Sequence, residues 1–235
     1  MAKKDKDKIM LAEHLVEIRH EASGTFLDVR GYVADYIREK KLFRHWNIGP
    51  NLINFQDMEG EIKKEGAFVG YKNAGYIVYN ADTKNYFTDK ASAFWKTLLE
   101  NAHYKVPDPT RFGVRTKIFI PTSLKFKELS KLLFDTFYTE KAKKIIGGKE
   151  KDLQLVVDLA EGQFEVKLHG GPMHEDEVEK HLNFKSEHFS KCGVYLDLDY
   201  YKTENLSHKD IPKLLKEAIG YSWLKAERIT SEIGV

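Results

Sequence analysis

Hydrophobic and polar positions along the chain nearly repeat after one hundred residues. Residues 13–20 alternate between apolar and polar side chains, and residues 112–120 do so again; such alternation is typical of a half-buried strand. Each alternating stretch is followed by apolar residues at helical spacing, over 26–41 and over 122–138, and the second helix is predicted to have a basic extension to Ile146. The apolar positions coincide although few residues are identical. Self-similarity of this kind predicts two halves of related design.

Both halves continue with short extended segments and end in a long helix. In the first half these elements are the segments 43–48, 52–55, 67–71 and 76–79 and a helix over 80–103, and in the second half a hairpin of 153–159 with 164–168, a strand at 193–200 and a helix over 209–233. Alternating strands and helices with one apolar face predict an α+β fold. We expect pseudo-duplicated strand–helix–strands–helix halves that form one curved antiparallel sheet, with the long helices on one face.

The clearest break in the pattern is the segment Lys105–Pro109, in which two prolines stop the preceding helix. We therefore expect a flexible basic tail at 1–12, a first α+β half at 13–106 and a second at 107–235, sharing one core. A polar segment at 170–190 is predicted to be an insertion in the second half.

Composition and charge exclude several classes of protein. The 235 residues carry a net charge of +2 and a single cysteine, Cys192, so a disulfide scaffold and a cysteine zinc site are both excluded. No run of 18 or more apolar residues is present to span a membrane, and the first eight residues lack the apolar middle of a signal peptide. We expect a cytoplasmic protein with no membrane partner.

Two stretches resemble a known family. Trp95–Glu100, and then Arg111–Pro121 after the proline segment, resemble a sporadically distributed, uncharacterised prokaryotic family of roughly this length. Its members have a long mid-chain helix that leads into a strand of the type Arg-x-Gly-hydrophobic-Arg-x-x-Asn, and the opening Leu15–Arg19 strand also fits. This chain has Lys117 and Ile118 where the family tends to have Asn and Arg. The resemblance implies no activity.

The order of elements in each half is similar to that in each half of the TATA-box-binding protein.

Charged residues on the predicted strands are the first candidates for chemistry. Clustered carboxylates on a sheet can hold magnesium for phosphoryl transfer, and the candidates are Asp158, Asp197 and Asp199. The same face is predicted to carry the basic residues Arg19, Arg115, Lys117 and Lys167. Alternating signs favour cross-strand ion pairs on a solvated face. We therefore predict no metal site and no cofactor, with the three aspartates as the alternative.

Four histidines lie within twenty residues, at positions 169, 174, 181 and 188. The last three are spaced by seven residues, about 10.5 Å along a helix, which is too far for two ligands of one ion. This spacing favours a solvated polar insertion over a metal site.

Two basic segments, 38–44 and 141–151, follow the first helix of each half. They could contact phosphates, although cations also gather at helix C-termini.

No nucleotide-binding loop or nucleophile elbow occurs in the sequence. We therefore expect a non-enzymatic binding or accessory protein that uses an open sheet face, or the cleft between the halves, to hold a protein partner or a second copy of itself. The candidate binding residues are Arg19, Arg115, Lys117, Lys167 and Arg44. The alternatives are a nucleic-acid-binding protein of a mobile-element or defence system, and a metal-dependent phosphodiesterase.

Overall fold

The computed structural model describes residues 10–59, 62–81 and 83–234. The first half contains β1 (Leu11–His20), α1 (Gly24–Glu39), β2 (His45–Ile48), β3 (Leu52–Glu59), β4 (Ile62–Gly70), β5 (Asn73–Val78) and α2 (Lys84–Leu99). The second half contains β6 (Pro109–Pro121), α3 (Phe126–Phe137), α4 (Glu140–Ile146), β7 (Leu155–Glu161), β8 (Phe164–His174), α5 (Glu175–His181), β9 (Cys192–Lys202) and α6 (Ile211–Ile233). The predicted α+β fold is confirmed. Residues 1–9 of the predicted tail at 1–12 lie outside the described residues, and the prediction is wrong for Leu11 and Ala12, which are buried at the start of β1.

All nine strands form one open antiparallel sheet in the order β2-β3-β4-β5-β1-β6-β9-β8-β7. The first strand of each half lies at the centre, where Val16 of β1 is opposite Val114 of β6. The remaining strands of each half extend outward to their own edge. The order strand, helix, strands, long helix therefore occurs in both halves, while common descent of the halves stays a prediction.

One hydrophobic core joins the two halves beneath the helices. The inward side of β1 and β6 supplies Val16, Ile18, Phe112 and Val114, and α2 and α6 cover it with the fully or nearly buried residues Phe94, Trp95, Leu215 and Ala218. Burial of apolar area is the main favourable term in folding, so the shared core couples the halves. Among the described residues, no helix is long and apolar enough to cross a membrane.

The predicted helix over 122–146 is two helices rather than one. Tyr138 adopts an extended conformation with φ −110° and ψ 125°, which ends α3. Thr139 then caps α4, because its hydroxyl accepts a hydrogen bond from the Ala142 N–H at 3.2 Å. A threonine at this position offers the chain an N-cap, and that local signal divides the helix.

The segment 170–190 differs most from its prediction. Its first residues extend β8 as far as His174, and α5 and the following loop bury Val178, Leu182, Phe184 and Phe189. These four residues pack on Leu11, Phe119 and Tyr195 and form a second small core on the face opposite the long helices. The prediction of a solvated insertion is wrong for these four residues. In the sequence they are scattered among charged residues, so no regular spacing indicates that they pack on the same side.

Candidate binding face of the sheet

The side chains that point away from the long helices form what we call the open face. It includes alternate residues of the central strands and of β7 and β8, placed together by the pairing of β1 with β6, β6 with β9, and β9 with β8. Its charged members are the basic residues Arg19, Arg111, Arg115, Lys117 and Lys167 and the acidic residues Glu13, Glu17, Asp158, Glu165, Asp197 and Asp199. The second core covers one end of this face.

A row of paired charges crosses the centre of the open face. Glu17 lies 2.8 Å from Arg19 and 3.9 Å from Arg111, and it accepts a hydrogen bond from the Asn73 amide at 2.8 Å. Arg111 continues the row to Asp199 at 3.6 Å. Burial alone would raise the pKa of Glu17, but the bonds from Arg19 and Asn73 and the charge of Arg111 lower it below its ordinary value.

Glycine allows Arg111 to lie flat on this row. A Cβ atom at Gly113 would approach the Arg111 Nη1 atom to 2.7 Å, so the guanidinium lies directly over the Gly113 backbone. The guanidinium carbon is also 5.1 Å from the centre of the Tyr201 ring, within cation–π distance. Arg111 is therefore fixed before any partner arrives.

A second pair is tighter. Arg115 donates two hydrogen bonds to Asp197, from Nε to Oδ1 at 2.8 Å and from Nη2 to Oδ2 at 2.6 Å. These bonds raise the pKa of Arg115 above its ordinary value. Such bidentate pairs are geometrically specific as well as strong, so Asp197 orients Arg115 while half of the arginine side chain stays exposed.

Lys117 and Glu13 attach the second core to the sheet. The Lys117 ammonium donates to Glu13 Oε1 at 3.1 Å and to the His181 carbonyl at 2.7 Å. The buried Glu13 also accepts a bond from the Asn183 backbone N–H at 2.9 Å. Lys117 therefore stabilises the end of α5, in addition to its predicted binding role on the open face.

The structure brings together four of the five predicted binding residues. Arg19, Arg115, Lys117 and Lys167 all lie on the open face, and Lys167 stands opposite Asp199 on β9 and Asp158 on β7. Arg44 lies elsewhere, just before the edge strand β2, where its backbone N–H donates to Asp57 at 3.1 Å. The binding role of all five stays a prediction.

The three aspartates of the alternative metal site do not form a common centre. Asp197 is bound by Arg115, and Asp199 faces Arg111. Asp158 lies on β7, with Lys167 of β8 between it and Asp199. Over the described ranges, no group of three or more His, Cys, Asp or Glu residues has a geometry that could hold a metal ion.

The four histidines also point to different surroundings. His169 lies on the open face opposite Asp197, and His181 lies 5.3 Å from the Tyr195 ring. His174 stacks on Phe126 at 4.0 Å, on another part of the molecule. His188 is exposed beside Glu187. Only two of the four therefore approach the same region of the open face.

A cavity of about 320 Å³ lies on the open face where β8 and β9 meet α5. Its walls include Arg115, Asp197, Tyr195, His169, His181 and Glu177. The segment before β7 closes one side, and it lies so near β8 that a Cβ atom at Gly171 would come within 2.6 Å of the Leu153 carbonyl. The cavity is open and polar, and its volume falls in the lower part of the range typical of ligand sites.

Tyr195 is the unusual residue of this cavity. It is only 5% exposed, and its hydroxyl has no hydrogen-bond partner of normal geometry in the described part of the chain. Burial, and then the charge of Asp197, raise its pKa above the ordinary value, so the hydroxyl stays protonated. The hydroxyl oxygen itself is shielded from solvent, so Tyr195 contributes to the cavity wall through its other atoms.

The cavity also contains more acid than base. Arg115 contributes +1, while Asp152, Glu177 and Asp197 contribute −3, which leaves a formal charge of −2 with neutral histidines. Glu177 accepts a bond from the His174 N–H through Oε2 at 3.2 Å, and Asp152 accepts one from the Leu153 N–H through Oδ1 at 2.7 Å. Glu177 and Asp152 therefore each keep a second carboxylate oxygen that can accept a hydrogen bond from a ligand.

The sequence prediction did not include Tyr195, His181 or Glu177 as site residues. Tyr195 alternates with Asp197 and Asp199, so its place on the same face could have been predicted. Glu177 and His181 reach the face only because α5 folds back over it. No protein-family model matches the chain, and no curated protein matches it significantly either.

Proposed function

We propose that the chain is a non-enzymatic binding protein that holds a protein partner on the open face, with a basic side chain of the partner in the cavity. The excess negative charge of the cavity carries this proposal, because three carboxylates and a single arginine line it. A basic side chain of the partner would balance this charge.

The cavity chemistry favours an ammonium or guanidinium group. A cation is attracted by the formal charge of −2, and the second oxygens of Asp152 and Glu177 can accept its hydrogen bonds. The rings of His169 and His181 can also accept a hydrogen bond when they are in the neutral form. An anionic group would instead meet three carboxylates and one arginine.

The rest of the open face fits a protein surface better than a polyanion. Its five basic and six acidic side chains nearly balance, whereas nucleic-acid sites have a basic excess. Arg111 and Arg115 are held in place by carboxylates, so binding would cost little of their side-chain entropy. Arginine and tyrosine are also enriched among residues that dominate binding energy.

Two groups that an enzyme could use are occupied or buried. Both carboxylate oxygens of Asp197 already accept hydrogen bonds from Arg115. Cys192 lies on the other side of the sheet, where its thiol donates to the Leu124 carbonyl at 3.0 Å. Burial, and then Glu128, raise the pKa of this thiol, so a nucleophilic thiolate is disfavoured. These observations support binding rather than catalysis.

The cavity can be tested with small probes. We would titrate Nα-acetyl-lysine amide into the protein and follow the NMR signals of the His169 and His181 rings. The lysine probe should shift both signals at millimolar concentration, while its uncharged norleucine analogue should shift neither. Glu177→Gln should weaken the effect because it removes one negative charge while keeping the hydrogen bond to His174. The matched control is Glu175→Gln, an exposed acid on the same helix. Equal shifts with norleucine, or an unchanged Glu177→Gln, would contradict the proposed cavity chemistry.

The macromolecular partner needs a separate experiment. A photoreactive amino acid at Tyr201 reports the open face, and the same group at the exposed Tyr32 on α1 serves as control. Cells that express each version are irradiated, and the adducts are identified by mass spectrometry. We expect a defined protein adduct at Tyr201 that disappears in the Glu177→Gln background. The same adducts at both positions would rule out a specific partner on this face.

One observation favours nucleic-acid binding as a second function. Lys141, Lys144, Lys149 and Lys151 are exposed, and the described residues provide no ion-pair partner for them. If these lysines contact phosphates, affinity for a DNA duplex should fall with salt at a log–log slope of about −0.9 for each contacted phosphate. Replacement of all four by Gln should flatten the slope. A slope near zero in the unchanged protein would exclude this function.

A further inference from the structure

The strand β7 forms one edge of the sheet and leaves a row of backbone groups without a neighbouring strand. It pairs with β8 in unbroken register from Leu155 to Glu161. Val156 is 62% exposed and Val157 is 43% exposed, although they point to opposite faces. Large apolar side chains are therefore exposed on both sides of an edge that is able to pair.

Natural proteins usually protect such edges with short strands, lysine, proline or bulges. The other edge strand, β2, has only four residues, which limits its pairing. The sequence of β7, LVVDLAE, has neither lysine nor proline over seven residues. The contrast between the two edges indicates that β7 is left open for another strand.

We propose that β7 pairs antiparallel with β7 of a second copy, so that two sheets continue as one through a twofold axis at Val157. In this register Val157 faces Val157 of the second copy, and Leu155 faces Leu159 of the second copy. Leu155, Val157 and Leu159 all lie on the helix side of the sheet, so the contact places apolar residues opposite one another. The apolar pattern is symmetric about Val157, which an unrelated partner strand would not require.

Charge selects this register over its neighbours. An axis at Asp158 would place two aspartates directly opposite each other, and opposed like charges destabilise a strand pair. An axis at Val156 would leave Leu159 without an apolar partner, because its opposite residue would be Leu153, which precedes β7 and packs in its own core. With the axis at Val157 that position faces Glu161 instead, whose carboxylate is already paired with Lys225. With the axis at Val157, Asp158 faces Val156 of the second copy and no like charges are opposed within the paired strands.

The expected contact is small. A single strand pair covers less surface than the roughly 1,600 Å² of a standard interface, so we expect a dimer that dissociates in the micromolar range. The open face of each copy remains uncovered, because the new neighbour lies beside β7 in the plane of the sheet. Dimer formation and partner binding on the open face are therefore independent.

Sedimentation velocity tests the dimer. The unchanged protein should shift from monomer to dimer as its concentration rises through the micromolar range. Val157→Lys should remain a monomer because two ammonium groups would face each other, and Val157→Thr should still dimerise because it keeps the branched shape and adds no charge. Circular dichroism and thermal unfolding check that each variant is folded. A monomer at all concentrations, or an unchanged dimer in Val157→Lys, would overturn the proposal.

Engineered cysteines test the register. Cys192 is the only native cysteine and is buried, so an added surface cysteine would be the one available for oxidation. Val157→Cys should form an intermolecular disulfide fastest, since residues directly opposite in antiparallel strands have Cβ atoms about 5 Å apart. Val156→Cys and Asp158→Cys should react more slowly because each faces a different residue. Fastest cross-linking at position 156 or 158 would refute the register at Val157.

Discussion

Acidification should destabilise the protein through His14, which lies at the centre of the sheet. Its ring is fully buried, 5.2 Å from the Phe87 ring and 5.9 Å from the Trp223 ring. Nδ1 lies 3.1 Å from the Thr116 hydroxyl, and Nε2 has no hydrogen-bond partner among the described residues. Burial lowers the pKa of His14 from 6.5 to about 3, because no carboxylate compensates for the lost hydration of a charged ring.

The sign and size of the effect follow from proton linkage. Below pH 6.5 the unfolded chain binds a proton at His14 that the folded chain does not bind until about pH 3. The free energy of unfolding should therefore fall as the pH falls through this window. Each pH unit in the window costs about 1.4 kcal/mol, so the loss should be about 2 kcal/mol at pH 5 and approach about 5 kcal/mol near pH 3.

Urea unfolding at pH 7 and pH 5, followed by tryptophan fluorescence, measures this loss. His14→Gln cannot titrate, so it should lose about 2 kcal/mol less than the unchanged protein between the two pH values. The control is His188→Gln, since that ring is exposed and its replacement should leave the pH dependence as it was. Comparing the two proteins removes the contributions that other titrating groups make to the pH dependence. One such group is His20, because burial also lowers its pKa. If His14→Gln loses as much stability as the unchanged protein, the reasoning about His14 is wrong.

Three further predictions concern packing and capping, and urea unfolding checks each. Gly75→Ala should destabilise by about 1–3 kcal/mol, because its Cβ would meet the Phe68 ring at 2.3 Å; Gly31→Ala, with open space around it, should instead stabilise by up to about 1 kcal/mol, and equal effects would contradict this explanation. Leu182→Ala should cost about 2–5 kcal/mol, since Leu182 is buried in the second core; a loss below about 1 kcal/mol would show that the segment is solvated. Thr139→Ala should cost about 1 kcal/mol by removing the cap of α4, and a neutral result would mean that the cap is not needed.

The elements that the sequence predicted best are those with a regular period and one buried side. The central strands β1 and β6 alternate over much of their length, as at Val16–His20, and the stripe of α6 from Ile211 to Ile233 marks its buried side. The prediction was poorer at β3 and β4, where it placed strands only at 52–55 and 67–71. Charged residues such as Asp57, Lys63 and Lys64 conceal the longer strands there, which extend to Glu59 and from Ile62.

The cavity was harder to predict because it depends on tertiary contacts. Arg115 and Asp197 were both candidates, since alternation placed them on one face. Their partners in the cavity come from α5, whose position follows from the packing of Val178 and Leu182 on Phe119 and Tyr195. A short polar helix has no periodic signal strong enough to show which face it covers. The wall of the cavity is therefore a consequence of folding that local patterns do not contain.

The two halves of the open face differ where the sequence repeat is interrupted. In the first half, Phe68 lies across Gly75 and fills the space above the sheet with its own ring. In the second half, the segment after β8 folds over the sheet and leaves a cavity beside Tyr195. Elements in the same order thus give one half a closed surface and the other a recess lined with charge. Coinciding positions such as Val33 and Leu133 lie in the core and stabilise both halves, so we expect the proposed partner to be recognised by the second half, where the two halves differ.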